Sequence, residues 1–220
     1  MSLIDPNLFK GESEVSDGRP FAPAGPAGPG PDVANFRDSR GMTLVVCILL
    51  VLAMLANGAF ALANSWSPDD VELLGAVGFG VMCITLPQFI MLMVWFYRAN
   101  KNARSIATGL ETTPGWAVGY FFIPVLSWFR PYQTMSEIWR SAHSPLSWKT
   151  LDDPVILRVW WGAWLAGAIG GLAANLLFGG GGVALWIATA FSIIADGITL
   201  VLIRQVAARQ WENKDQSVFD

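Results

Sequence analysis

Three long stretches of this sequence contain no charged residue, and no other feature restricts its fold as strongly. The stretches cover residues 41–68, 73–97 and 159–195. An uncharged apolar run of about 18 residues or more is long enough to cross a hydrocarbon core of roughly 30 Å. A helix in a soluble protein rarely needs such a run, because one of its faces meets water. The sequence therefore predicts an all-α integral membrane protein.

The composition agrees with a membrane location. Charged residues make up 14% of the chain, whereas a typical soluble domain contains about 25%. The net charge of −3 argues neither for nor against nucleic acid as a ligand. For a membrane protein of this composition we expect lipid, and no nucleic acid, as the partner.

Four transmembrane helices are predicted, at residues 41–63, 73–97, 159–177 and 183–202. The first two are joined by a short loop, where Asp69 or Asp70 is expected to cap the second helix with Glu72 in its first turn. Pro87 is expected to kink this second helix. The last two helices are joined by a glycine turn at residues 179–182.

A further apolar segment, residues 116–129, is shorter than a span. It begins after Pro114-Gly115 and contains Pro124. Apolar runs of about 10 to 14 residues are more often re-entrant or interfacial than spanning. We therefore predict one re-entrant segment between the second and third spans.

The residues after this segment predict one interfacial amphipathic helix. Pro131 suits the first turn of a helix. One face of that helix carries Tyr132, Met135, Ile138 and Trp139. The other faces carry Gln133, Ser136, Glu137 and Arg140. A helix of this kind is typical of the membrane surface.

The distribution of basic residues predicts the orientation. If segment 116–129 does not cross, the outer loops are residues 64–72 and 178–182, and neither contains Lys or Arg. All 14 basic residues then lie on the inner side. The positive-inside rule favours this arrangement, which predicts a multi-pass protein of the bacterial cytoplasmic (inner) membrane with both termini in the cytoplasm. An aromatic belt near the cytoplasmic interface would consist of Trp95, Trp139, Trp148, Trp160 and Trp161.

The chain is expected to have three parts. Residues 1–40 are rich in Pro and Gly and poor in large apolar side chains, so they cannot offset chain entropy and are predicted to be a disordered cytoplasmic tail. Residues 41–204 form the helical membrane domain. Residues 205–220 are a cytoplasmic C-terminal tail.

Small residues recur along the predicted helix at 159–177. Gly162, Ala166 and Gly170 form one row, and Gly167 and Gly171 lie on the next. Small residues four apart let helix backbones approach closely in lipid. Two interpretations stay open: these residues pack within the monomer, or they form a seam with a protein partner or a second copy of the chain.

Asp196 is the only formal charge inside a predicted span. A charge there costs roughly 2.5–3.5 kcal/mol even on the lenient insertion scale, so its side chain should face protein or water. Ser192 and Thr199 share a polar stripe with Asp196, and Gln88, about 15 Å from the basic end of its own helix, matches it in depth. We expect an intramembrane polar site made of Asp196, Gln88, Ser192 and Thr199.

Three interpretations of Asp196 compete. In the first, it is neutral and holds helices together by a hydrogen bond to Gln88 or to the hydroxyl stripe. In the second, it forms an ion pair with Arg98 or Arg158. In the third, it binds a proton or cation during transport. The sequence does not choose among them.

A second feature is a motif that runs through the middle of the chain. Residues 95–103 read W-F-Y-R-A-N-K-N-A, and P-G-W-A, F-I-P, R-P-Y and I-W-R follow in that order between residues 114 and 140. This pattern resembles a bacterial family of small multi-helix membrane proteins that is catalogued as a domain of unknown function. The resemblance covers roughly residues 41–212. It implies the membrane architecture and no activity, because none is known for the family.

The motif also predicts a group of residues on the cytoplasmic side, which we call the platform: Arg98, Asn102, Trp116, Arg130, Pro131, Tyr132 and Arg140. Two interpretations stay open. The platform anchors the protein and contacts anionic lipid, or it forms a pocket for a headgroup or a protein partner. In such a pocket Arg98 and Arg130 would be the charged donors, and Asn102 and Tyr132 would orient the ligand.

No motif points to catalysis, a metal or another cofactor. His143 is the only histidine, and the sequence contains no H-E-x-x-H, phosphate-loop or G-x-S-x-G motif.

The leading hypothesis is a non-catalytic accessory, assembly or scaffold subunit of a membrane complex, with a protein partner or second copy bound through helix 159–177. One alternative is a small proton- or cation-coupled transporter or channel that uses Asp196. The other is a lipid-headgroup-binding sensor or enzyme.

Overall fold

A computed structural model describes residues 36–178 and 182–216, apart from the side chains of residues 174, 178 and 216. These residues form helices and connecting segments and contain no β-strand. The helices are α1 (Arg40–Trp66), α2 (Val71–Ile106), α3 (Pro114–Gly119), α4 (Arg130–His143), α5 (Val155–Phe178) and α6 (Gly182–Gln216). Short 3-10 turns occur at Tyr120–Phe122, Leu126–Trp128 and Trp148–Thr150. The disorder predicted for residues 1–35 and most of the glycine turn at 179–182 lie outside the described residues.

Four of these helices, α1, α2, α5 and α6, are long and apolar enough to cross a membrane. The described part of the chain therefore has the four spans that the sequence predicts, and the protein is a multi-pass membrane protein. Large apolar side chains such as Leu55, Phe79 and Leu176 are exposed on the outside of the bundle, as expected for surfaces that contact lipid. Asp70 caps α2 as predicted, since its Oδ1 accepts a hydrogen bond from the Leu73 N–H at 2.9 Å.

The bundle is built around α6. α5 packs against α6, and α1 packs against both α2 and α6. The shared core lies toward one end, which we call the basic end because Arg98, Arg158 and Arg204 lie there on three different helices. Core side chains that are buried at this end include Leu50, Phe96, Met135, Leu157, Trp160 and Leu202.

Most of the tryptophans expected in an aromatic belt lie inside the protein instead. Trp95, Trp148, Trp160 and Trp161 are all buried. Their indole N–H groups find partners within the fold: that of Trp95, for example, donates to Thr43 Oγ1 at 3.1 Å. These four side chains therefore face protein rather than lipid, and their position near the cytoplasmic interface stays a prediction.

α2 and α6 continue far beyond their predicted spans. α2 ends at Ile106 and α6 at Gln216, because polar residues past the apolar runs pack onto protein. Gln210 Nε2 donates to the Ala99 carbonyl at 2.9 Å, and Asn213 Nδ2 donates to the Ala142 carbonyl at 2.6 Å. The domain boundary predicted at residue 204 therefore falls inside a continuous helix.

The end of the predicted N-terminal tail is attached to the bundle. Phe36 packs edge-on against Trp211, with ring centroids 6.3 Å apart. The Arg40 guanidinium lies 3.8 Å from the centre of the same Trp211 ring and pairs with Asp38 at 3.1 Å. Residues 36–40 are thus attached to the bundle rather than part of a disordered tail, and the attachment to Trp211 joins residues too far apart in sequence for composition to reveal.

The segment at residues 116–129 does not form a span. It consists of the end of α3, the two 3-10 turns at Tyr120–Phe122 and Leu126–Trp128, and their connections. The Thr113 hydroxyl accepts a hydrogen bond from the Trp116 N–H at 3.4 Å at the start of α3, and the Trp161 indole donates to the Trp128 carbonyl at 3.0 Å. Its re-entrant placement stays a prediction.

Helix α4 starts where the sequence predicts, with Pro131 in its first turn. Its amphipathic pattern assigns Ser136 and Glu137 to exposed faces, but both are buried, together with Met135 and Ile138. The reason is that α4 packs against α2, α5 and α6 and is therefore covered by protein on more than one side. Its location at the membrane surface stays a prediction.

Candidate functional site

The four residues of the predicted intramembrane site line one cavity inside the bundle, with a volume of about 280 Å³. α6 contributes Ser192, Asp196 and Thr199, because residues 192, 196 and 199 lie on one side of a helix. α2 contributes Gln88, at the depth expected from its distance to Arg98. α1 adds Asn57, which the sequence analysis did not consider. Asn57 is uncharged, and no polar residue lies three or four positions from it, so the stripe that marks Asp196 has no counterpart there.

Asp196 has no polar partner in the described residues. No hydrogen bond or ion pair to its carboxylate forms within 36–178 and 182–216, so neither the bond to Gln88 nor the pair with Arg98 or Arg158 is present. Gln88, which is 9% exposed, likewise makes no hydrogen bond in this part of the chain. The cavity thus brings two unpartnered polar side chains together from different helices.

Two other polar side chains of the cavity, Thr199 and Asn57, form hydrogen bonds within the protein. The Thr199 hydroxyl accepts a hydrogen bond from the Trp160 indole at 2.8 Å and donates to the Ala195 carbonyl at 2.7 Å. Asn57 Nδ2 donates to the Ala53 carbonyl at 2.8 Å, which leaves its Oδ1 available. Thr199 therefore helps to position α5 on α6 rather than presenting a free hydroxyl.

Aromatic side chains form much of the remaining wall. They are Phe89, Phe96, Phe121, Trp160 and Trp164. Phe121 belongs to the segment between α2 and α4, and its ring lies edge-on to Phe96 at 5.2 Å and to Phe89 at 6.3 Å between centroids. The segment predicted to be re-entrant thus supplies part of the cavity, which the sequence could not show because Phe121 is one of several similar aromatic residues.

The platform residues do not converge on one pocket. Arg130 Nη1 donates to Gln133 Oε1 at 3.1 Å, and its guanidinium lies 5.4 Å from the centre of the Tyr120 ring. Trp116 stacks on the same Tyr120 ring, with ring centroids 5.3 Å apart, and is itself exposed. Arg98 forms no hydrogen bond or ion pair with any residue in the described ranges.

Tyr132 and Arg140 both bind Asp153, a residue of the loop between α4 and α5. The Tyr132 hydroxyl donates to Asp153 Oδ2 at 2.9 Å, and Arg140 Nε lies 3.4 Å from Asp153 Oδ1. The Ser136 hydroxyl donates to the same oxygen. Burial, and then the hydrogen bond to Asp153, raise the pKa of Tyr132 above its usual value. These contacts attach α4 to the loop, so both platform residues are engaged within the protein.

Asn102 has a structural role that the sequence analysis did not anticipate. Its Oδ1 accepts from the Arg37 N–H at 3.1 Å, and its Nδ2 donates to the Arg37 carbonyl at 2.9 Å. This pair of hydrogen bonds holds the backbone just before α1 against α2. The side chain that was expected to orient a ligand is therefore fully occupied by the chain itself.

Glu137 was not singled out from the sequence, yet it organises the loop after α2. Its carboxylate accepts hydrogen bonds from the backbone N–H groups of Glu111 and Thr112, the latter at 3.0 Å to Oε2. Arg104 binds the same loop, donating to the Leu110 and Thr112 carbonyls at 3.0 Å. Only a tertiary structure brings these groups together, because the loop and α4 are far apart in sequence.

The small residues of α5 divide into two groups. An added Cβ on Gly167 would lie 2.8 Å from Ser192 Oγ, and one on Gly170 would lie 3.6 Å from the Ala188 Cβ, so α6 packs closely against both. An added Cβ on Gly162 or Gly171 would meet nothing within 4 Å. Ala166 is half-buried. Part of the predicted ridge therefore packs within the monomer, and Gly162 and Gly171 lie outside that contact.

The comparisons with known proteins identify a family and no close relative of known activity. A family model described as "Domain of unknown function (DUF4328)" matches residues 66–208, which extend from the end of α1 to the second half of α6. The match confirms the expected resemblance to a domain-of-unknown-function family. No curated protein and no solved structure matches the chain significantly.

Proposed function

The chain belongs to the DUF4328 family of unknown function, and on that premise we propose that it is a small proton- or cation-coupled transporter or channel that works through the Asp196 cavity. One observation carries this proposal: Asp196, Gln88 and Asn57, from three different helices, line the same cavity, and the carboxylate has no partner in the described residues. Neither the family match nor any other comparison assigns this activity.

The physical reason is the cost of an unpartnered carboxylate in a membrane protein. Ionisable groups inside spans are expensive, and they are usually paired unless they bind a proton, an ion or a substrate. If Asp196 only held helices together, a hydrogen bond to a neighbouring helix would compensate its burial. Since no such bond forms in residues 36–178 and 182–216, a binding function accounts better for this side chain.

We further propose that the protein lies in the bacterial cytoplasmic membrane with both termini in the cytoplasm and that it is non-catalytic. Support comes from the basic residues of the described chain: Arg40, Arg98, Arg158 and Arg204 all lie at the basic end. The positive-inside rule assigns this end to the cytoplasm. Asp196 would then lie about 12 Å inward from Arg204 along α6, within reach of water from the cytoplasmic side.

The test is a flux measurement in reconstituted vesicles. Vesicles are prepared with the wild-type chain, with Asp196→Asn or with the matched control Asp69→Asn, and they are loaded with a pH-sensitive dye. The Asp69 carboxylate lies in the exposed loop before α2. Proton movement is followed after a gradient of Na⁺, K⁺ or an organic cation is imposed. We expect flux in the wild type and in Asp69→Asn and a loss of flux in Asp196→Asn. Equal flux in all three, or none in the wild type, would refute the proposal.

An accessory, assembly or scaffold subunit is the second candidate function. Its support is the pair Gly162 and Gly171, where α5 is not covered by the rest of the bundle and a partner helix or a second copy could approach closely. Gentle purification from native membranes, followed by mass spectrometry of intact complexes, tests it. A stoichiometric complex that is lost on Gly162→Leu supports this function, and a monomer that is unchanged by the substitution counts against it.

A lipid-headgroup-binding sensor or enzyme has less support. Tyr132, Arg140 and Asn102 are bound to other parts of the protein. Arg98 and Arg130 keep N–H groups that are available to a headgroup, but the platform residues do not converge on one pocket. Retention of anionic lipid that is unchanged by Arg130→Gln would eliminate this alternative.

A further inference from the structure

The polar groups that remain available in the Asp196 cavity are mainly acceptors. The carboxylate has two oxygens without a partner in the described residues, and Asn57 presents Oδ1 because its Nδ2 is bound to the Ala53 carbonyl. Thr199 is already satisfied by Trp160 and Ala195. Gln88 and the Ser192 hydroxyl, which has no hydrogen-bond partner in the described residues, can each accept or donate. An acceptor set around one carboxylate favours a ligand that carries positive charge.

The rest of the wall is aromatic rather than polar. Five aromatic side chains line the cavity with Asp196: Phe89, Phe96, Phe121, Trp160 and Trp164. Aromatic rings attract cations through their negative faces, Trp most strongly, and this is the usual way in which proteins recognise alkylated ammonium groups. A hard divalent cation instead takes six or more oxygen ligands, and this lining supplies only one carboxylate.

The volume points to a small organic ligand. About 280 Å³ is room for on the order of nine waters, each with a share of about 30 Å³ in the liquid. That is more space than a single proton-binding group needs, and it lies just below the range of about 300–1,000 Å³ found for small-molecule pockets.

We propose that the Asp196 cavity binds a small organic ammonium ion and that this ion and a proton compete for the Asp196 carboxylate. The inference rests on the proposed function, because it names the substrate class of the same site. Asp196 is the only titratable side chain among the lining residues. One ammonium ion pairs with the carboxylate, and one proton neutralises it when the ion leaves. Both states are electrically neutral, so no bare charge remains in the bundle.

The test is a binding measurement on the purified full chain in detergent. The probes are tetramethylammonium, choline and benzylammonium, together with 3,3-dimethylbutan-1-ol, which is the uncharged isostere of choline. Calorimetry gives the affinity, and a weakly buffered titration gives the protons released per ion bound. The variants are Asp196→Asn and Trp164→Leu, and the matched controls outside the cavity are Asp69→Asn and Trp66→Leu, the latter at an exposed position at the end of α1.

We expect at least one ammonium ion to bind and to displace protons, and the neutral alcohol to bind more weakly. Asp196→Asn should lower the affinity roughly 10- to 150-fold, as for loss of a hydrogen bond to a charged group. Trp164→Leu should lower it about 2- to 30-fold, and both controls should leave it unchanged. Failure of all three ammonium ions to bind overturns the inference, as do equal binding of the alcohol and unchanged binding by Asp196→Asn.

The vesicle measurement separates this inference from the proposed function. Proton flux that depends on Asp196 and is driven by Na⁺ or K⁺, without binding of any ammonium probe, overturns the ligand class and leaves the transport proposal intact. Ammonium binding that depends on Asp196, without any coupled flux in vesicles, supports the ligand class and refutes transport.

Discussion

Replacing Gly167 by Ala should separate α5 from α6. A Cβ on residue 167 would lie 2.8 Å from Ser192 Oγ and 3.2 Å from the Ser192 backbone nitrogen. The Ser192 side chain can rotate away, but its backbone cannot move unless the two helices shift. The substitution therefore introduces a steric conflict at a close contact between α5 and α6.

The magnitude follows from two opposing effects. Overpacking of a tight contact costs about 1–3 kcal/mol, whereas replacing a helical Gly by Ala gains about 0.5–1 kcal/mol of backbone entropy. We expect a net loss of up to about 2.5 kcal/mol in the free energy of unfolding, which is up to roughly a 70-fold change in the ratio of folded to unfolded protein.

The assay is reversible unfolding of the chain in detergent, with two matched controls on the same helix. Gly162→Ala and Gly171→Ala should be neutral or stabilising by up to about 1 kcal/mol, because a Cβ at either position meets nothing within 4 Å. Ser192→Ala combined with Gly167→Ala should recover part of the loss, because it removes the oxygen at 2.8 Å and leaves the backbone contact.

The reasoning would be refuted if Gly167→Ala were as stable as Gly162→Ala. The same holds if the effects of Gly167→Ala and Ser192→Ala simply added, since residues in direct contact should show a coupling energy. Either result would mean that the close contact of α5 with α6 does not limit the packing of the bundle.

Two further predictions concern the motif region. Glu137→Gln should weaken the hydrogen bonds to the Glu111 and Thr112 amides by about 1.5–3 kcal/mol. Hydrogen exchange would detect this as faster exchange of these two amides, with the amides of α4 unchanged. If the two amides exchange as slowly as in the wild type, Glu137 does not hold the loop. Partial burial lowers the pKa of His143 in the folded chain below its usual value of about 6.5. As the pH falls through about 6.5, the unfolded chain therefore binds a proton at His143 before the folded chain does, and the folded state loses stability. His143→Gln should remove this part of the acid-dependent loss in unfolding measured from about pH 7.5 to 5.5, and an unchanged pH profile would contradict it.

Several local features could be predicted from the sequence because they depend on neighbouring residues. The cap of α2 at Asp70 and the start of α4 near Pro131 are examples. In contrast, α6 extends to Gln216 because Gln210 and Asn213 bind the carbonyls of other helices, and no local pattern contains those partners. The amphipathic pattern of α4 was misleading for a related reason: α4 packs against α2, α5 and α6, which buries Ser136 and Glu137. Loops supply the hydrogen-bonding partners that compensate this burial.

The candidate site likewise contains some residues that the sequence identifies and others that only the tertiary structure reveals. Asp196, Ser192 and Thr199 could be chosen from charge and helical spacing, and Gln88 from its depth. Asn57 and the aromatic wall could not, because an isolated Asn or Phe in a span has no distinctive pattern. Asn102 and Tyr132, which the sequence predicts to orient a ligand, form hydrogen bonds with Arg37 and Asp153, and ligand binding at the platform stays a prediction.

The sequence by itself determined the membrane class and the four spanning helices, because the length of an uncharged apolar run is matched directly to the thickness of a bilayer. It also determined that Asp196 must avoid lipid. Only the tertiary structure decided which side chains surround Asp196 and which polar residues satisfy one another. Those contacts join residues that are distant in the chain, and their formation depends on how α1, α2, α5 and α6 pack, which the pattern of any single helix does not specify.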